Sequence, residues 1–270
     1  MNFQPFIRMY QPCPALQGFV KDYSVSYHAS IQTLLRCQPA FPQQYLIFYP
    51  YSPQQYSSNG NSFEELPQQL LIGPFTHPVY LSIVPSQLVF IVNLAPGALY
   101  RLIHLPLHEI LNQPLDGING FGSEIKQVNE QLSEAKTIEE MIHLVEAFLL
   151  KKLQKAKEAL PVDQAFMLLI ASPAQYTMEQ LASISCVSLR QLERQFLNRL
   201  GTTPTMFIRQ ARFRKAYRLK RSHPELSWTS IAYECGYFDQ MHLIRDFKLF
   251  TNATPTTFQT IASGAPVRNA

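Results

Sequence analysis

The chain is poor in glycine, in cysteine and in charge, and each shortage excludes something. Ten glycines in 270 residues form no Gly-rich phosphate loop, so a nucleotide-cradling site is not expected. No nucleophile elbow and no pair of acid–base carboxylates stands out. Cys13, Cys37, Cys186 and Cys235 show no C-x-x-C spacing and no histidine at metal distance. Four scattered cysteines fit a reducing compartment, and each is expected as a small buried thiol. No apolar run approaches the length of a membrane span. Met1–Tyr10 lacks the apolar core of a signal peptide, so a cytoplasmic location is expected. Charged residues make up 16% and hydrophobic residues 46%, which is a globular composition rather than a disordered one.

The charge that is present is uneven. Residues 161–270 hold 13 Lys and Arg against 7 Asp and Glu, a balance of +6, while residues 1–160 hold 10 against 12. A basic half beside a mildly acidic half points to a polyanionic partner for the former.

That basic half contains one pattern twice. Leu181-Ala182, a break at Cys186, then Leu192, Phe196 and Gly201-Thr-Thr-Pro204-Thr-x-Phe207 form the first copy. Ile231-Ala232, a break at Gly236, then Leu243, Phe247 and Asn252-Ala-Thr-Pro255-Thr-x-Phe258 form the second. Thr177 with Gln180 reads as a capping box, and Ser227 as the matching cap before Trp228. Leu189, Leu192, Phe196 and Leu200 recur at helical spacing as an inner stripe, with Arg190, Glu193, Arg194 and Asn198 opposite. In the second copy Leu243, Phe247 and Phe250 face inward, and Gln240, Met241, Ile244, Arg245 and Lys248 face out. Thr203-Pro204 and Thr254-Pro255 each read as cap plus first-turn proline of a further helix. Each copy is thus helix, tight turn, helix: a helix-turn-helix whose second helix can enter a DNA major groove.

On these residues, about 80 to 100 of them, the chain resembles the AraC/XylS family of bacterial transcription regulators. The motif R-x-L-x-R-x-F is met by Arg190, Leu192, Arg194 and Phe196, and I-A-x-x-x-G-[FY]-x-[DS]-Q by Ile231-Ala232, Gly236-Tyr237 and Asp239-Gln240. The chain departs from the family at Cys186 and Asn252, where Gly is usual, and at Gln259, where Arg often stands. The resemblance implies base contacts from Arg190, Glu193 and Arg194 in one groove. In the next groove it implies Gln240, Met241, His242, Ile244 and Arg245. Phosphate contacts are expected from Arg199, Arg209, Lys215 and Lys248, while Arg212 and Ala216 sit at packing positions of the family. Double-stranded DNA and RNA polymerase are the implied partners, with a homodimer and a small-molecule effector as further expectations.

Residues 1–122 are proline-punctuated and β-rich. Phe19–Tyr27, Tyr45–Tyr49, Gln69–Ile72, Val79–Val84 and Leu88–Leu94 read as strands, and Gln54–Glu65 as a loop or hairpin tip. Such spacing suggests a sandwich or barrel, and the resemblance implies a cupin-like one. Its aromatics, among them Tyr45, Tyr49 and Phe41, either line a cavity or fill a β core. Helices are expected over Ser123–Ala135 and Thr137–Leu160, the latter with lysines favourably near its C-terminus. The fold class expected is therefore α+β: a β-rich domain (1–122), a helical linker (123–160), a tandem helix-turn-helix domain (161–262) and a tail (263–270).

No catalytic residue, metal or cofactor is expected. His28, His77, His104, His108 and His143 do not form a ligand set, and Pro106 between His104 and His108 breaks a helical pairing. Alternatives to a ligand-controlled regulator are an effector-free regulator whose β domain serves dimerisation, a cupin-type enzyme with a DNA-binding appendage, and a methyl-accepting repair protein. The last needs a metal-activated cysteine cluster, which Cys13 and Cys37 do not supply.

Overall fold

A computed structural model describes residues 4–29 and 32–257. The closing helix expected after Pro255, with Phe258 and Gln259, and the tail 263–270 lie outside or run beyond the described residues.

The N-terminal half is two antiparallel sheets. One has six strands in the order β1 (Phe6–Tyr10), β2 (Val20–His28), β9 (Gln87–Leu94), β4 (Gln44–Phe48), β7 (Gln69–Ile72) and β10 (Pro114–Asp116). The other has four, β3 (Leu34–Gln38), β8 (Val79–Ile83), β5 (Gln55–Ser57) and β6 (Glu64–Glu65). Period-two alternation decides which face does what. On β9, Leu88, Phe90, Val92 and Leu94 are buried against helices outside the sheets. Gln87, Val89, Ile91 and Asn93 point the other way, into the space between the sheets. On β2, Tyr23 and Val25 join the outer core, while Ser26 and His28 face inward. The main apolar core of this half thus lies outside the barrel rather than within it.

Four helices build that core from the outside: α1 (Ala98–Ile103), α2 (Gly117–Phe121), α3 (Glu124–Glu134) and α4 (Ile138–Leu153). Ile125, Val128 and Leu132 of α3 and Met141, Val145 and Phe148 of α4 pack into it. Thr137 caps α4 by accepting from Glu140 N. Helix α4 ends at Leu153, short of the expected Leu160. Lys157 N bonds to Arg101 O at 2.9 Å, and Arg101 Nε returns a bond to Lys157 O, so this segment is held as an extended strap.

The C-terminal half is helical: α5 (Pro161–Ala171), α6 (Met178–Ile184), α7 (Leu189–Leu200), α8 (Pro204–Ser222), α9 (Trp228–Glu234) and α10 (Gln240–Thr251). It holds two cores. One gathers Phe166, Leu181, Leu192, Phe196 and Phe207; the other gathers Phe213, Ile231, Leu243, Phe247 and Phe250. Ala40, which precedes β4, is buried in the second, with Phe41 packed against it.

Candidate functional site

The caps expected at Thr177 and Ser227 are formed, and Ser188 and Asp239 supply two more. Thr177 and Gln180, and Ser188 and Gln191, close reciprocal capping boxes at the starts of α6 and α7. Ser227 and Asp239 cap α9 and α10 by accepting from Ser230 N and His242 N. Between the paired helices, Cys186 and Gly236 both adopt positive φ, +54° and +78°, the left-handed conformation that Gly takes freely and Cys at a cost. The two turns are therefore the same turn, made with different residues. Cys186 is exposed rather than buried as expected. Asn252 ends α10 at φ +57°, as Gly201 ends α7 at +71°.

Arg190, Glu193 and Arg194 are all exposed on α7. On α10, Gln240, Met241, Arg245 and Lys248 are exposed, and Met241 is 57% accessible. His242 and Ile244 are half-buried. The His242 ring stands edge-on to Tyr237 at 5.2 Å, which draws it toward the core. Gln240 Oε1 accepts from Thr229 Oγ1, so α9 orients the first residue of α10. Leu189, expected in the inner stripe, is 44% exposed because it occupies the first turn of α7, ahead of the core. Tyr233 and Phe238 were not anticipated. Phe238 is 85% exposed in the turn before α10.

Two of the expected phosphate ligands are engaged elsewhere. Arg199 is almost fully buried, with Nη1 bound to both carboxylate oxygens of Asp163 at 2.8 and 2.9 Å and Nε bound to Gln195. It holds α7 to α5. Arg209 sends Nε and Nη2 to Asp246 Oδ1 at 2.9 and 2.7 Å and so ties α8 to α10. The spacing of neither arginine could show a carboxylate arriving from another helix. Lys215 is exposed, with Nζ donating to Glu234 O at the end of α9. Arg212 donates to Gly236 O and lies over Tyr237, so it supports the second turn, and Ala216 is in the core. Arg214 is buried without an ion pair among the described residues, and burial lowers its pKa to about 10.

The second feature is a cavity of about 260 Å³ between the two sheets. Ile47, Leu70, Ile72, Val89 and Ile91 line one wall, and Val79, Leu81 and Ile83 the other. Tyr45, Tyr49, Phe41 and Phe75 also reach it. Burial raises the pKa values of the Tyr45 and Tyr49 hydroxyls, so both are neutral hydrogen-bonding groups. Burial and then the nearby Arg36 lower the pKa of His28. Of the histidines considered as ligands, only His28 and His77 line this space, and no metal-binding group of three or more His, Cys, Asp or Glu occurs among the described residues.

Cavity and helices share a seam. Phe41 stacks on Phe213 of α8, with ring centroids 5.5 Å apart, and meets Tyr217 edge-on at 5.2 Å. Gln210 Nε2 donates to Ala40 O and Phe75 O at 3.3 and 2.6 Å. Ala40 N donates to Phe250 O at 3.0 Å. At the first unit, Gln44 Nε2 donates to Arg199 O, and a side chain at Gly201 would meet Pro74 and Leu107 O.

Residues 181–261 match the family described as a helix-turn-helix domain. Residues 8–116 match one described as a domain of unknown function, DUF6597. The HTH-type transcriptional activator RhaS of Escherichia coli O1:K1 is 41% identical over 69 residues, which is 26% of this chain and 24% of that activator. The chain thus matches about a quarter of that relative's length. The crystal structure of unsaturated fatty acid-bound wild-type ToxT from Vibrio cholerae strain SCE256 aligns with a TM-score of 0.51 at 12% identity, over 91% of this chain and 97% of that one. The fold of this chain is similar to that of ToxT.

Proposed function

We propose that this chain, whose residues 181–261 match a helix-turn-helix domain family, is a sequence-specific transcription regulator of the AraC/XylS type controlled by a small molecule in the N-terminal cavity. The observation that carries the reading is the matched pair of capped units mounted on one helix. Helix α8 has 19 residues and so spans about 28 Å at 1.5 Å per residue. A spacer of that order suits two reading helices in successive major grooves about 34–36 Å apart. Arg190, Glu193 and Arg194 then meet bases in one groove, and Gln240, Met241, Arg245 and the edge of Ile244 meet bases in the next. His242, drawn toward Tyr237, contributes from the margin. Lys215 and Lys248 remain as phosphate contacts.

Control follows from the seam. Phe41 and Phe75 border the cavity and are bonded or stacked to α8. A ligand that displaces them shifts the helix on which both units are mounted. The fatty acid named for ToxT makes an occupant with an apolar body a reasonable expectation. The reading carries with it double-stranded DNA and RNA polymerase as partners, a homodimer, a cytoplasmic location and no catalysis.

The test is base-specific. Arg194→Ala or Arg245→Ala is expected to relax preference at one or two base pairs of a selected binding site, at a cost of about 1–3 kcal/mol of discrimination. Binding is measured across single-base variants of that site. Uniform weakening across all of them refutes base contact by that arginine.

A further inference from the structure

Phe213 and Tyr217 turn α8 toward the β domain, where both rings meet Phe41. Arg214 and Arg218 stand next to them in the chain, one helical turn apart. Arg214 is only 8% exposed, yet among the described residues its side chain has no ion pair or hydrogen bond, and none of its guanidinium nitrogens is sealed from solvent. The fold thus covers this cation but leaves it within reach of a small molecule. A buried charge without a partner is costly. Residues 1–3, 30–31 and 258–270 contain no Asp or Glu, so every acidic side chain of the sequence lies among the described residues.

The sheet facing this helix brings a third cation. Tyr45 of β4 pairs with Asn93 of β9, and Asn93 pairs with Asp22 of β2. Lys21 precedes Asp22 at a shift in that register, with Nζ 4.0 Å from Asp22 Oδ2. Burial, then the charges of Arg218 and Arg214, lower the pKa of Lys21, and the two arginines and Asp22 all act on buried Tyr45. Burial, then Arg218, lower the pKa of Arg214. Asp22, the carboxylate of this group, already accepts from Asn93 Nδ2. Lys21 and Arg218 are exposed, so the cluster opens to solvent at its rim.

We propose that Lys21, Arg214 and Arg218 form a binding site for a phosphate dianion, free or as the monoester of a small molecule, at the seam between the β domain and α8. Three cations face one carboxylate, which leaves an excess of two positive charges. A phosphate monoester carries about −1.5 to −2 at neutral pH and offers three strong acceptor oxygens. Guanidinium forks match those oxygens in pairs, and a lysine adds a point charge. A monocarboxylate leaves one cation of the excess uncompensated. The phosphates of a DNA duplex are a poorer match, because Arg214 is covered by the β domain. Arg209, Arg212 and Lys215, in contrast, reach from α8 to α10, to the second turn and to the end of α9. The site needs no occupant in the apolar cavity, so it stands or falls separately from that reading.

Phenyl phosphate, inorganic phosphate and phenyl sulfate separate the cases, since the sulfate ester has the same tetrahedral shape with one charge fewer. Each is titrated calorimetrically into the full-length chain at constant ionic strength, well above the second phosphate pKa of about 6. Wild type is expected to bind phenyl phosphate about tenfold more tightly than phenyl sulfate. Inorganic phosphate as tight as the ester marks a site for the free ion, and a tighter ester marks a site for a monoester. Arg214→Met is expected to weaken phenyl phosphate about tenfold. Without ligand it is expected to melt at the wild-type temperature or higher, since an unpaired buried cation has been removed. Lys21→Met, at an exposed position, is expected to weaken phenyl phosphate as well and carries the test should Arg214→Met fail to fold. Absence of binding by both phosphates overturns the assignment, as does equal affinity for phenyl phosphate and phenyl sulfate. Phosphate affinity unchanged in the folded variants overturns it too. If the variants instead make the salt dependence of DNA binding shallower while wild type binds neither phosphate, the cluster is a contact to the DNA backbone and the assignment falls.

Discussion

The two inter-helix turns offer a controlled experiment already present in the molecule. Cys186 and Gly236 hold equivalent positions at φ +54° and +78°, yet their surroundings differ. Cys186 is exposed, whereas a Cβ at Gly236 would overlap the Cβ of Ala174. A non-glycine residue in the left-handed region costs about 1–2 kcal/mol. Glycine returns about 0.4–1 kcal/mol of that through the greater freedom of the unfolded chain. Cys186→Gly is therefore expected to stabilise the protein by about 0.5–1 kcal/mol. For a chain of this size that is a rise in melting temperature of about 1–4 °C. Gly236→Ala incurs the strain, recovers about 0.4–1 kcal/mol from the unfolded chain and adds the overlap with Ala174, so a net loss of about 2 kcal/mol or more is expected. Differential scanning calorimetry of the full chain measures both. A fall in melting temperature for Cys186→Gly means that the thiol is packed in a way its exposure does not reveal. A neutral Gly236→Ala refutes the argument that the second turn is the more tightly specified.

Other consequences are equally open to measurement. Met241 projects from α10 as an apolar side chain on a polar face, and the expected role is contact with a thymine methyl. Replacing thymine by uracil in the second half-site should weaken wild-type binding but not that of Met241→Ala; equal wild-type affinity for the two DNAs removes the contact. Asp163→Ala leaves the Arg199 guanidinium buried without its partner and is expected to cost about 3–5 kcal/mol. In Arg199→Met the salt dependence of DNA binding should remain unchanged in the folded fraction, and a shallower salt slope in that variant would restore Arg199 as a phosphate ligand.

Much of the helical half was legible because its signals are local. Thr177 and Ser227 satisfy amides three residues away, and such caps are visible in one dimension. The strands of residues 69–72 and 79–83 were legible for the same reason, through β-branched and apolar runs between prolines. What was not legible depends on partners far along the chain. For Arg199 and Arg209, only the fold brings Asp163 and Asp246 to them. The short strand β10 exists because β7 offers it an edge, and nothing in Pro114–Asp116 announces it. The aromatics left open between core and cavity divide by strand face: Tyr45 and Tyr49 turn inward, while Tyr23 and Phe48 turn out to the helices. The extended strap after Leu153 is fixed by Arg101, a residue more than 50 positions earlier.

The placement of the outer core has a bearing on how this domain can change over time. Phe48, Phe90, Val92 and Tyr23 fasten the six-stranded sheet to α3 and α4, so cohesion is drawn from one face of each strand. The alternate residues, which meet the occupant of the barrel, are largely relieved of that duty. Substitutions at positions such as 26, 47, 89 and 91 can then alter which molecule is admitted while the sheet stays anchored from behind. A scaffold divided in this way can acquire a new chemical signal by small steps, without first passing through an unfolded ancestor.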